Sequence, residues 1–353
     1  MIGWLNRVFG GAPSPAAPAA APTARLRQPA PPPVLTAEDL RGLAQRCGYG
    51  EAGEELVALT APVFHIIAGS DASDAPLGET RLGGAPDLPV GSTWPKGRFG
   101  LATFLAQFNL ADVAARTGSD LLPSSGLLSL FVVEIESAAD PVEVLSIVTP
   151  AGTPQERLQP PADTADFADH RAMLTPVSVA GFQPGISLSL GDMDRLQLDA
   201  RYPDGDMVAF VIGLTARPKD AVGEWLGRGF DGHDDDQRQV AHSRCIGRPN
   251  LERYAFITSW EEWLELKMIS HPLPNGTVYR PWQDRHDPEV RWLLDNRAAF
   301  DAGVEALRLL VRIESNPKMD LWINDADPIY ILIDEARMAE GDLSQVHATV
   351  TQG

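Results

Sequence analysis

Cysteine is scarce in this sequence of 353 residues, which contains only Cys47 and Cys245. Two cysteines outside any Cys-x-x-Cys pair cannot form a dense disulfide framework. Reduced thiols are typical of proteins kept in a reducing compartment. The sequence therefore predicts a cytoplasmic protein.

Long apolar runs and clusters of basic residues are also missing. No stretch approaches the ~18 to 20 consecutive apolar residues that a membrane-spanning helix requires, so no transmembrane segment is predicted. The 29 basic and 48 acidic side chains give a net charge of −19. Because a phosphate-contacting surface needs clustered Lys and Arg, this composition predicts no nucleic-acid binding.

The motifs of common enzyme classes are absent as well. The sequence has no Gly-x-Ser-x-Gly elbow, no phosphate-binding loop of the GxxxxGK[ST] type and no GxGxxG fingerprint. His242 lies three residues before Cys245, but no third member of a nucleophilic set is evident. We therefore assign no catalytic residue and predict no cofactor.

The N-terminal segment differs in composition from the rest of the chain. Residues 1–33 consist of an apolar peptide, MIGWLNRVF, and a tract rich in Ala and Pro. Prolines remove backbone donors and favour extended conformations, so this segment is predicted to be a disordered tail and linker. Residues 1–10 are interpreted as a frayed terminus or as a short helix that docks on a partner or on a membrane surface.

Residues 34–353 have the pattern of a single α+β domain. Thr36 and Asp39 form a capping-box pattern before Leu40 and Leu43, which predicts a helix. Further helices are predicted at 51–59, from Ser259 onward, and from Glu289 to the residues before Leu307. Apolar runs predict strands at 62–68, 104–110, 127–134, 142–149, 186–190, 207–214, 307–313, 329–333 and 346–351.

Two parts of this domain are alike. Residues from about 60–150 contain a turn that ends at Pro86 and then three strands. Residues from about 241–352 contain a turn that ends at Pro249 and then three strands in the same order. A duplicated unit usually packs about a pseudo-twofold axis. The sequence therefore predicts a β-rich core from two related halves, with flanking helices.

Several of these segments resemble the YwqG-like family, a bacterial family of unknown function. The resemblance rests on RLGGAPDLP (81–89), Trp94-Pro95, FLAQFNL (104–110) and LPSSGLL (122–128), and in the second half on His242, Trp322 and DLSQV (342–346). It implies a mixed α+β fold with a duplicated sheet and no established reaction. The second half departs from the family pattern, because Arg312 stands where a glutamine similar to Gln107 is expected.

The candidate binding residues are Gly83, Gly84, Trp94, Gln107, Arg312 and Trp322. The amide of Gln107 can orient a ligand, or it can satisfy backbone groups of the Gly83-Gly84 turn. Pro86 and Pro89 remove two donors that an anion-binding turn would use, which favours a structural role for the glycines. Trp94 adjoins a proline in a loop, which favours a place on a recognition surface.

The acidic segment DGHDDD (231–236) is the candidate metal site. Its possible ligands, together with the histidine that follows it, are His233, Asp234, Asp236 and His242. Carboxylates and imidazoles at short spacing can bind a divalent ion. The spacing fits neither an EF-hand nor a zinc site, so a solvated acidic loop is the alternative interpretation.

These observations predict a binding or protein-interaction module without catalysis, whose partner is a protein or a small ligand. The alternative is a metal-assisted hydrolase or another small-molecule enzyme.

Overall fold

A computed structural model describes residues 33–98, 100–133, 142–162, 173–188, 196–227, 242–243, 246, 248, 288–323 and 327–350. The predicted disordered tail, except Pro33, and the predicted helix at Ser259 lie outside the described residues.

The described residues form twelve strands, eight α-helices and one short 3₁₀ helix (Gly50–Ala52). The strands are β1 (Ala61–Asp71), β2 (Arg81–Leu82), β3 (Asp87–Pro89), β4 (Thr103–Asn109), β5 (Leu127–Val132), β6 (Val144–Thr149), β7 (Gln155–Arg157), β8 (Val177–Ser187), β9 (Ala221–Trp225), β10 (Leu307–Ile313), β11 (Ile329–Asp334) and β12 (His347–Val350). The helices are α1 (Ala37–Arg46), α2 (Gly53–Ala58), α3 (Leu110–Thr117), α4 (Leu198–Arg201), α5 (Met207–Leu214), α6 (Pro288–Asp295), α7 (Arg297–Glu305) and α8 (Glu335–Glu340).

Ten of the strands form one large sheet in the order β12-β11-β10-β9-β1-β8-β2-β4-β5-β6, and β3 pairs with β7 in a small second sheet. The two longest strands, β1 and β8, pair antiparallel in the middle. Outward from this pair, each side ends in an antiparallel meander, β4-β5-β6 on one side and β10-β11-β12 on the other. A large β-rich sheet with several helices is therefore present. The duplication of the two halves stays a prediction.

The sheet is buried on both faces along much of its length. On one face, the largest hydrophobic cluster runs through both meanders and includes Phe108, Leu128, Val311 and Ile331. On the other face the chain places polar side chains that alternate with this cluster, among them Gln107 between Ala106 and Phe108. Five of the buried side chains described below lie on this second face: Arg81, Gln107, His65, Glu224 and Arg312.

The helices at the start of the domain form a second cluster with α5. Thr36 caps α1 as predicted: its side chain accepts a hydrogen bond from Asp39 N at 3.1 Å, and Asp39 Oδ2 accepts one from Thr36 N at 2.9 Å. Leu40 and Leu43 of α1 are buried against residues of α2 and α5. The predicted helix therefore begins at its predicted cap and packs through its predicted apolar side.

The prediction of a buried strand at 207–214 is wrong, because this segment is helix α5. Its uninterrupted apolar run is compatible with either a strand or a buried helix, since it has no period to distinguish them. Asp206 decides between them locally, since its side chain accepts a hydrogen bond from Ala209 N at 2.9 Å and caps the helix. Gly213 then permits close packing, because a Cβ atom there would lie 2.5 Å from Leu43.

The other strand predictions in the described residues are confirmed to within a few residues. Of the predicted run at 186–190, residues 186–187 are the end of the longer strand β8, and residues 189–190 lie outside the described residues. The helix predicted from Glu289 is two helices, α6 and α7. They are separated at Asn296, whose side-chain amide donates to the carbonyl oxygen of Trp292 at 2.8 Å.

Candidate functional site

A buried carboxylate, Asp87, organises the first half of the sheet. It accepts hydrogen bonds from Arg81 Nη1 at 2.7 Å, from Arg157 Nε at 2.9 Å and from Gln107 Nε2 at 2.8 Å. Burial alone would raise the pKa of the Asp87 carboxyl, but the hydrogen bonds from Arg81, Arg157 and Gln107 lower it to about 2. Asp87 is therefore a permanent anion at neutral pH.

Asp87, Gln107 and Arg157 also form hydrogen bonds to the loop 76–80, which we call the wall loop. Gly78 N donates to Asp87 Oδ2 at 2.9 Å, and Gln107 Nε2 donates to the carbonyl oxygen of Glu79 at 2.7 Å. Arg157 Nη2 reaches the carbonyl oxygen of Pro76 at 3.3 Å. Because backbone groups of three wall-loop residues are bonded to buried or half-buried side chains, the position of the loop depends on this network.

An open cavity of about 430 Å³ lies beside the wall loop, at the end of the sheet where β4 and β6 end and β5 begins. We call it the Asn109 cavity. Asn109 joins the wall loop to the sheet, because its Nδ2 donates to the carbonyl oxygen of Gly78 at 2.9 Å. Its Oδ1 accepts hydrogen bonds from the backbone N–H groups of Ala111 and Asp112 in α3. The other lining side chains include those of Leu77, Ser125, Ala151, Thr153 and Gln155.

The lining of the Asn109 cavity is uncharged throughout the residues that the structure describes there. Its amides and hydroxyls donate and accept hydrogen bonds, and Leu77, 53% exposed, adds an apolar surface. The volume falls within the range of small-molecule sites, about 300 to 1,000 Å³. The arrangement can bind an uncharged polar molecule and orient it.

The second half of the sheet carries a buried polar group at the matching place. Gln107 is paired with Arg81 across β4 and β2, and Arg312 is paired with Glu224 across β10 and β9. Glu224 lies 2.8 Å from Arg217 Nη1 and 3.9 Å from Arg312 Nη1. Arg312 also contacts Glu314, at 3.1 Å. Arg312, a predicted binding residue, therefore belongs to a buried ion-pair cluster.

His65 completes this cluster from β1. Its Nδ1 lies 3.5 Å from Glu224 Oε1, and both side chains line an enclosed cavity of about 10 Å³. A space of that size holds about one water molecule. Burial lowers the pKa of His65, although the Glu224 carboxylate acts in the opposite sense. This second cavity is too small for an organic ligand.

The Gly83-Gly84 turn has the geometry of a structural element. Both residues have positive φ, and added Cβ atoms would lie 2.5 Å from the carbonyl oxygen of Thr175 and 2.8 Å from Pro176. Gly83 N donates to the carbonyl oxygen of Leu105, and Gly84 N to that of Leu174, each at 2.9 Å. Since both backbone donors are used within the fold, the turn offers neither of them to an anion.

The two tryptophans among the predicted binding residues lie in different surroundings. Trp94 was placed on a recognition surface because it adjoins a proline, but it is only 8% exposed. Its Nε1 donates to the carbonyl oxygen of Ala102 at 2.7 Å, and its ring packs edge-on against Phe131. Trp322 is 48% exposed. Of the pair, only Trp322 presents a large surface to a partner.

The candidate metal site is described only in part. His233, Asp234 and Asp236 lie outside the described residues. His242 packs its ring edge-on against Phe300, and burial lowers its pKa while the Asp334 carboxylate acts in the opposite sense. Within the part of the chain that the structure describes, no three His, Cys, Asp or Glu side chains converge on a metal position. The metal site stays a prediction.

The sequence did not single out the residues that line the Asn109 cavity. Gln107 was singled out, and it lies two residues from Asn109 on the same strand. However, Gln107 does not line the cavity; it holds the wall loop through its hydrogen bond to the carbonyl oxygen of Glu79. The one local signal was Asn109 itself, an N-cap residue directly before the apolar start of a helix. The remaining lining residues come from loops far apart in the sequence.

Comparison with known proteins gives a family match for this region. A family model described as "Domain of unknown function (DUF1963)" matches residues 80–153. The match covers the strands β2 to β6 and much of the lining of the Asn109 cavity. No curated protein matches the chain. No helix in the described part of the chain combines the length and apolar character needed to cross a bilayer.

Proposed function

We propose that this chain is a binding module without catalysis, and that the Asn109 cavity is its ligand site. The observation that carries the proposal is an open cavity of about 430 Å³ whose wall is fastened by a buried hydrogen-bond network. Because the wall loop is already held in position, a ligand can bind without the entropy loss of ordering it, which favours affinity.

The chemistry of the lining supports a binding role. Its described side chains are amides, hydroxyls and aliphatic groups, and none of these titrates near neutral pH. General acid–base catalysis needs such a group within hydrogen-bond reach of the substrate. Asp87, the nearest buried carboxylate, is saturated by its hydrogen bonds and serves the wall loop.

The ligand is an uncharged molecule with several hydrogen-bonding groups, either a small solute or a peptide segment of a protein partner. Amide and hydroxyl side chains match carbonyl, hydroxyl and amide groups of a ligand. The net charge of −19 disfavours anionic ligands through long-range repulsion.

The same proposal places the protein in the cytoplasm. The scarcity of cysteine supports this location, because proteins in a reducing compartment rarely depend on disulfides. It also takes the chain as a member of the YwqG-like family with two related halves. The order of strands in the large sheet supports related halves, since each side runs from a long central strand through a neighbour to a three-strand meander.

The test compares two Ala→Trp variants. Ala151→Trp fills the Asn109 cavity, whereas Ala302→Trp adds the same side chain at an exposed position of α7, outside it. Binding of uncharged disaccharides and of N-acetylated dipeptide amides is measured by saturation-transfer NMR and then by calorimetry. We expect wild type and Ala302→Trp to bind a common ligand, and Ala151→Trp to bind it at least about tenfold more weakly. Equal binding by all three proteins, or binding by none, would refute the assignment of the cavity.

A further inference from the structure

The strand β6 is an edge of the large sheet in the part of the chain that the structure describes, and its sequence lacks the features that usually protect an edge. Among the described residues it pairs only with β5. Its sequence, VLSIVT, has neither a charged residue nor a proline. Sheet edges that stay single in solution are usually blunted by Lys, Pro or a bulge, and an uncharged β-branched edge is a template for another strand.

The backbone groups on the free side of β6 can be identified from its pairing with β5. Val133 N donates to the carbonyl oxygen of Glu143 at 2.9 Å, so residue 143 is bonded to the β5 side. In an antiparallel pair the bonded and non-bonded residues alternate. Hence Leu145 and Ile147 bond to β5, while the N–H and C=O groups of Val144, Ser146 and Val148 point away from the sheet.

We propose that β6 pairs with β6 of a second copy of this chain, antiparallel and about a twofold axis at Ser146. Ser146 then faces Ser146 of the second copy, and Val144 faces Val148. Each of these three pairs exchanges two backbone hydrogen bonds. The two sheets become one continuous sheet, and the interface is isologous and closed, as in most homodimers.

The side chains of β6 support a second copy as the occupant, because the strand is its own complement in this register. Valine meets valine, Leu145 meets Ile147, and Glu143 falls opposite Thr149, so that no like charges face each other. This matters in a chain with a net charge of −19, since most other surfaces would bring acidic groups together.

Ser146 adds an independent observation. Its hydroxyl oxygen is buried and has no hydrogen-bond partner among the residues that the structure describes. A hydroxyl on an edge strand that lacks a partner is costly to keep buried. In the proposed dimer it lies directly opposite the same hydroxyl, and serine pairs across strands form hydrogen bonds.

The first test is covalent trapping of the full chain. Paired residues that share hydrogen bonds have Cα atoms about 5.5 Å apart, within the range of a disulfide. Ser146→Cys should therefore form a cross-linked dimer on mild oxidation. Val148→Cys is the matched control, because the two copies of residue 148 lie at opposite ends of the paired strands. Wild type, with buried Cys47 and with Cys245, shows the background.

The second test measures the mass in solution and uses charge exchange. We expect wild type to sediment as a dimer that becomes tighter with added salt, which screens the repulsion between two acidic chains. Ser146→Lys and Ser146→Glu each place like charges opposite each other and should raise the dimer dissociation constant at least about tenfold. Mixing these two variants should restore a dimer that contains one chain of each.

Three outcomes would overturn the proposal. If the wild type stays monomeric and the Ser146→Cys variant does not cross-link, β6 does not pair with a second copy of the chain. A dimer that persists in both charge variants uses another face. Assemblies larger than a dimer indicate head-to-tail contact between unlike edges. None of these outcomes bears on the Asn109 cavity, so the two proposals fail independently.

Discussion

Replacing Asp87 by Asn removes one charge from the most buried ion pair of the first half. Asp87 has no exposed surface and Arg81 is 1% exposed, so the guanidinium would lose its counterion without gaining water. Removing one partner of a buried pair costs about 3 to 5 kcal/mol. The pKa of Asp87, about 2 against an ordinary value of 3.8, corresponds to about 2 to 3 kcal/mol. We expect Asp87→Asn to lower the free energy of unfolding by about 3 kcal/mol at neutral pH.

The loss depends on pH in a definite direction. Because folding lowers the pKa of Asp87, its contribution is complete above the unfolded value of 3.8 and disappears as the pH falls towards about 2. The Asn variant has no such titration. The difference in stability between wild type and Asp87→Asn should therefore shrink by about 2 kcal/mol between pH 6 and pH 2.5.

Urea titrations followed by tryptophan fluorescence at several pH values measure this difference. Other carboxylates titrate equally in the two proteins and cancel in the comparison. Asp220→Asn is the control, since both side chains of the Asp220–Lys318 ion pair are exposed and its loss should change the stability little at any of these pH values. A difference for Asp87→Asn that stays constant with pH would show that packing, and not charge, accounts for the loss.

Three further predictions concern single residues. Gly83→Ala should destabilise by more than about 2 kcal/mol, because its φ is 64° and its Cβ would meet a carbonyl oxygen at 2.5 Å; Gly118→Ala, with a similar φ and open space, should cost about 1 kcal/mol in the same urea titration. Trp94→Ala should cost about 3 to 5 kcal/mol and Trp322→Ala less than about 1, and equal thermal shifts would contradict their different burial. Burial lowers the pKa of His65, so wild type should lose stability as the pH falls below 6.5, where the unfolded chain binds the proton first. His65→Gln should flatten that dependence, and an unchanged slope would argue against a neutral buried imidazole.

Local sequence patterns predicted the elements whose cause is local. The capping box at Thr36 and Asp39 determines the start of α1 within a few residues. Most of the predicted strands are recognisable as runs of apolar, β-branched residues. The segment 207–214 shows the limit of this reasoning. An apolar run without period becomes helix or strand according to its cap and its neighbours, and here Asp206 and Leu43 decided the outcome.

The candidate site was harder to predict from the sequence, because its parts come together only in the folded chain. Gln107 was identified as a residue with a special role, but its bonds to Asp87 and Glu79 connect positions that the sequence does not link. Trp94 was predicted on a recognition surface because a proline follows it, but it is buried. A neighbouring proline indicates the local backbone conformation and says nothing about the burial of a side chain. The Asn109 cavity joins segments near residues 77, 109, 125 and 151, and no periodicity contains that arrangement.

The central position of β1 also determines the order in which the chain completes its sheet. Of the residues that pair across the middle, Ala61 and Ser187 are 126 positions apart in the sequence. A ribosome therefore releases β1 long before either of its neighbours, β8 and β9, exists. The strands of the meander β4-β5-β6 follow one another in the sequence and can pair in the meantime, since local pairings form fastest. During this interval both edges of β1 lack their partner strands, and unpaired strand edges make a nascent chain prone to aggregation.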